Sequence, residues 1–109
     1  MQPSQVKAYF GPVSQTIGKA SQLSQTSSNV PEPLRATLSE LSRESEQAAQ
    51  MLANEQNDNR IIDCVDRLEK LGDRAMHACS QAGSTVDEQV RNAVKEAHDA
   101  LSDLKHRLH

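Results

Sequence analysis

The chain has no tryptophan, one tyrosine and one phenylalanine in 109 residues, which excludes a core or a base-stacking surface built on aromatic rings. Its apolar material is Ala, Leu, Val and Ile, a mixture that favours closely packed helices over sheet. Charge of one sign is also missing. Twelve basic residues stand against fifteen acidic, net −3, with no basic block to follow a phosphate backbone, so nucleic acid is not an expected partner. Nowhere do apolar residues run for more than a few positions, so neither a membrane span nor the apolar core of a signal peptide is expected. Cysteine is limited to Cys64 and Cys79. Both fall on one predicted helix, about 22 Å apart at its rise per residue, too far to join within it. Reduced thiols suit a cytoplasmic protein, and a chain of this length holds one core, hence a single domain over 1–109.

What is present is helical spacing. From Ile61 to Ala82, alternating steps of four and three give Ile61, Val65, Leu68, Gly72, Ala75, Cys79 and Ala82 without a polar interruption. Cys64, Leu71 and Ala78 form a second column beside it, so this helix should pack against more than one neighbour. Gly72 lies on the seam and is expected at the closest helix crossing. Gly83 ends the helix as a cap, and Thr85 with Glu88 has capping-box form, so the last helix is expected to start there. Its stripe is Val86, Val90, Ala93, Ala97, Ala100 and Leu104, flanked by Val94, Leu101 and Leu108. Asp63 with Arg67, Asp66 with Lys70, Asp87 with Arg91, Lys95 with Asp99 and Asp103 with Arg107 are pairs four apart that mark solvent faces.

The first half is weaker. Leu34, Leu38, Leu41, Ser45, Ala48 and Leu52 define a narrow stripe opened by Pro31-Glu32-Pro33, and the polar run 55–59 can cap the helix that follows. Upstream, Gly11-Pro12 interrupts the spacing Val6, Phe10, Val13, Ile17, Ala20. Proline is accepted at a first helical position and costly in an interior. Residues 1–11 are therefore set apart as a candidate mobile arm, with helices at about 12–27, 33–54, 58–82 and 85–108. The fold class is all-α, a four-helix up-and-down bundle with a weak first helix. Because Ser24 and Ser45 break the stripes of the first two helices, apolar surface from Ile62, Leu71, Met76, Val94 or Leu101 is expected to stay exposed.

Catalytic chemistry is not indicated: the carboxylates are outward partners of Lys and Arg, and no Ser-His-Asp or Cys-His set can be placed by spacing. Met51, Cys64, Met76, His77, Cys79, His98, His106 and His109 include metal-ligand types, but no C-x-x-C or H-x-x-x-H pairs them, and no metal or cofactor is expected. His77, exposed on a bundle helix, resembles the acceptor of histidine phosphotransfer domains. In those a Lys three residues on and then a Gly follow, where this chain has Ser80 and Gln81. Ser-Gln dipeptides occur at 4–5, 14–15, 21–22, 24–25 and 80–81, four of the five in a polar first third. The expected function is a small non-enzymatic protein–protein interaction or adaptor module that engages a protein partner or a second copy of itself. Pairing the central helices about Gly72 would bring Cys64 of one copy toward Cys79 of the other. Histidine phosphotransfer through His77 and a metal-binding bundle are the alternatives.

Overall fold

The computed structural model describes residues 5–54 and 56–108. Four helices, α1 (Val6–Thr26), α2 (Glu32–Asn54), α3 (Asp58–Ala82) and α4 (Glu88–Leu108), follow one another through short links. Each packs on two neighbours: α1 on α2 and α4, and α3 on α2 and α4. This closed ring is the expected all-α up-and-down bundle. Among the described residues no helix is long and apolar enough to cross a membrane.

The seam of α3 is buried at Ile61, Val65, Leu68, Gly72, Ala75 and Cys79, with Leu71 buried beside it. Asn57 caps the helix, its side-chain oxygen accepting from the Asn59 N–H at 3.0 Å, which satisfies one of the unpaired donors of the first turn. At the other end Gly83 has φ +64°, a conformation costly for any residue with a Cβ, and its N–H donates to the carbonyls of Cys79 and Ser80.

The start of α4 differs from the capping-box expectation. Gly83–Thr85 forms a single 3₁₀ turn, and the Thr85 hydroxyl donates back to the Ala82 carbonyl at 2.8 Å. Asp87 is the cap instead, accepting from the Gln89 N–H at 3.1 Å, and α4 begins at Glu88. Two capping side chains lie two residues apart, and the one-turn detour selects the second.

The larger correction is in α1. The helix begins at Val6 and passes through Gly11 and Pro12 without a break, so residues 6–11 are not an arm outside the bundle. Residues 1–4 lie outside the described residues. Pro12 falls on the solvent side with Ala8, so the Ala8 carbonyl that loses its helical donor faces water. Gly11 has no Cβ to collide with the proline ring. Against a cost of about 3 kcal/mol for an interior proline, Val6 and Phe10 are buried to 0% and 3% exposure, together a gain of roughly 3–6 kcal/mol. Burial prevails. Two further contacts fasten this turn: Lys7 Nζ donates to the Ala53 carbonyl in the last turn of α2 at 3.4 Å, and the Arg107 guanidinium lies 5.6 Å from the centre of the Tyr9 ring.

The serines that interrupt α1 and α2 are inside. Ser21, Ser24 and Ser45 are buried. Ser24 Oγ donates to the Ser21 carbonyl at 2.7 Å, and Ser45 Oγ donates across to Ser14 Oγ at 3.1 Å, so these hydroxyls are paired. The Ser45–Ser14 bond joins α2 to α1, and the added turn of α1 lengthens the cover the two helices provide.

Candidate functional site

Two places bring polar chemistry together. The first is a cleft of about 410 Å³ between α2 and α3. Ala48, Met51, Cys64 and Leu68 line it; Ala48 and Leu68 belong to the core, and Met51 and Cys64 are half-buried against it. Its charged lining is balanced, Glu44 and Asp63 with Arg60 and Arg67. Arg67 reaches Glu44 at 3.4 Å, so a cation expected to serve α3 alone instead joins the two helices. Burial pushes the Cys64 thiol up from its ordinary value of 9.0, with Arg67 opposing and Glu44 adding to the shift. Such a thiol is a poor nucleophile at neutral pH.

The second place is on the α3–α4 face. Glu69 and Asp73 are four apart on α3, so their carboxylates stand one turn from each other on the same side. His98 of α4 lies over them, its Nε2–H donating to Asp73 Oδ1 at 2.6 Å. Asp99 Oδ1 is 3.5 Å from the other ring nitrogen, and Lys105 Nζ is 3.4 Å from Glu69 Oε2. One donor atom from each of Glu69, Asp73 and His98 lies within 4.8 Å of the others. The close approach that allows this is made by Gly72: a Cβ there would stand 3.8 Å from His98 Cα and 4.0 Å from His98 Cδ2.

The remaining candidates are dispersed. His77 is exposed on α3, opposite the seam, and His106 is exposed near the end of α4; His109 lies outside the described residues. Cys79 is buried in the core, its thiol raised by burial and partly restored by Arg91. Met76 is half-buried at the edge of the core. His98 is among the residues of metal-ligand type in the sequence, but spacing does not reveal its partners, because the rotation of α4 about its own axis, which selects the residues it meets on α3, is decided by packing.

The expected exposed apolar patch is absent among the described residues. Leu71, Val94 and Leu101 are buried, Ile62 and Met76 are half-buried, and Tyr9, at 48% exposure, is the one large hydrophobic side chain left exposed. The suggested pairing of central helices about Gly72 is likewise overturned, since Gly72 is covered by α4 and Cys79 faces the core. Comparison of the chain with protein-family models, with curated proteins and with solved structures gives no match.

Proposed function

We propose that this chain is a small non-enzymatic protein–protein interaction module whose contact surface is the α2–α3 cleft, and that a second copy of the chain occupies it. The observation that carries this reading is the balance of charge around an apolar floor. Glu44 and Asp63 face Arg60 and Arg67 about Ala48, Met51, Cys64 and Leu68. Because the lining carries both signs of charge, a two-fold axis through it can set arginines of one copy toward carboxylates of the other. Met51 adds an adaptable side chain to the floor. The buried seam of α3 gives the cleft a rigid wall, which lowers the ordering cost of association.

Sedimentation of the reduced protein over a wide concentration range tests the reading. A concentration-dependent dimer is expected, weakened by Met51→Asp and by Arg67→Glu and unaffected by Glu96→Gln on α4. A monomer throughout, or a dimer that both cleft variants leave intact, overturns it.

A further inference from the structure

We propose that Glu69, Asp73 and His98 form a binding site for a divalent transition-metal ion of the zinc type, which fastens α3 to α4. The proposal departs from the sequence-based expectation of no metal site and is independent of the α2–α3 cleft, which uses the other side of α3.

The geometry meets three requirements. The donors are close enough to share one ion, within 4.8 Å of one another. They come from two elements held in fixed relation, because the two carboxylates share one helix at a spacing of four and the imidazole is brought over them at the Gly72 crossing. The donor chemistry is also selective. Two carboxylate oxygens and one imidazole nitrogen, with water in the remaining position, suit zinc or a neighbouring first-row ion; calcium and magnesium prefer oxygen alone.

Neighbouring groups complete the arrangement. When Nε2 turns its lone pair to the ion, its hydrogen moves to Nδ1, where Asp99 Oδ1 stands 3.5 Å away to receive it. A carboxylate behind a ligating imidazole is the usual support for such a ligand. Lys105 Nζ donates to Glu69 Oε2 at 3.4 Å, which helps hold the carboxylate in place beside His98. Glu69 and His98 are both half-buried, which raises the attraction for a cation above that of a fully solvated pair of charges. The hydrogen bond from His98 to Asp73 would join the helices without Glu69, so Glu69 is the residue that separates a metal site from a simple interhelical bond.

Calorimetric titration of the full, reduced chain with zinc ions alone decides the matter, supported by the visible spectrum of the cobalt-loaded protein. One ion per chain is expected. His98→Gln and Glu69→Gln should each weaken binding roughly tenfold or more, while His77→Gln, His106→Gln and Cys64→Ser leave it unchanged. Glu69→Gln keeps the His98–Asp73 bond, so a loss of affinity there with an unaltered circular dichroism spectrum cannot be ascribed to unfolding. No uptake of zinc by the wild-type chain, uptake that survives both His98→Gln and Glu69→Gln, or uptake abolished by Cys64→Ser or His77→Gln overturns the proposal.

Discussion

Gly72 of α3 and Leu101 of α4 meet so closely that a Cβ on the glycine would stand 3.2 Å from Leu101 Cδ1. Leu101 is itself fully buried, so its side chain must shift by a few tenths of an ångström within the core to admit one. Alanine at 72 gains about 1 kcal/mol of helix propensity, but the overpacking it forces costs typically about 1–3 kcal/mol. Gly72→Ala should therefore lower stability, by about 1 kcal/mol net, in urea unfolding. Gly18 supplies the contrast, because nothing lies within 4 Å of its Cβ position. Gly18→Ala should raise stability by about 0.5–1 kcal/mol. An increase for both would mean that Leu101 gives way freely at the Gly72 crossing.

The first turns of α1 make the second test. With Phe10 packed into the core, Phe10→Ala should cost about 3 kcal/mol or more, a loss that no residue in a detached arm could produce. Pro12→Ala should act in the opposite direction by about 2–3 kcal/mol, since it returns an N–H to the Ala8 carbonyl. Chemical denaturation measures both. A Phe10→Ala variant as stable as the parent would place residues 6–11 outside the core after all.

The buried hydroxyls are not equivalent. Ser24 donates to a carbonyl of its own helix, so Ser24→Ala removes no bond between helices and gains helix propensity, and stability should rise by about 0.5 kcal/mol. Ser45 donates across to Ser14, and Ser45→Ala should lower stability by about 0.5–1.5 kcal/mol. Thermal melts of the two variants under one condition rank them, and the reverse order would contradict the cross-helix bond.

Both thiols are held above their ordinary value of 9.0 by burial. A group whose value is raised in the folded state is the weaker acid there, so its contribution to stability is complete below the unfolded value and fades as pH rises beyond it. Stability should thus fall above about pH 9 more steeply in the parent than in a Cys64→Ala, Cys79→Ala double variant. Parallel pH profiles of unfolding free energy for the two proteins would show that the thiols carry none of this dependence.

The seam of α3, the capping run before it and its end at Gly83 are legible in the residues, because an unbroken period and its punctuation are local properties; that Asn57 is the cap within that run is not. At Pro12 the local pattern misleads for the same reason. The local rule about proline yields to the burial of Val6 and Phe10 in a core built with the other helices. The expected exposed patch does not follow from stripe width, because cover depends also on the length of the helices, and the turns of α1 that carry Val6 and Phe10 add to it. Thr85 and Asp87 both had the chemistry of a cap, and only the path of the chain after Gly83 distinguishes them. The meeting of His98 with Asp73 spans 25 residues and depends on the rotation of one helix against another, which period alone leaves undetermined.

The stacking of Arg107 on Tyr9 places the first and last helical turns of the chain at the same end of the bundle. Together with the pairing of α1 and α4, it makes the order in which the helices are threaded a matter of linkage rather than of packing. A circular permutant that joins Gln5 to Leu108 through a short flexible segment and opens the chain between Asn54 and Asn57 would keep every helix beside its present neighbours. The sequence-distant contact between α1 and α4 would then become a local hairpin, and the contact between α2 and α3 would take its place as the one that joins the two ends of the chain.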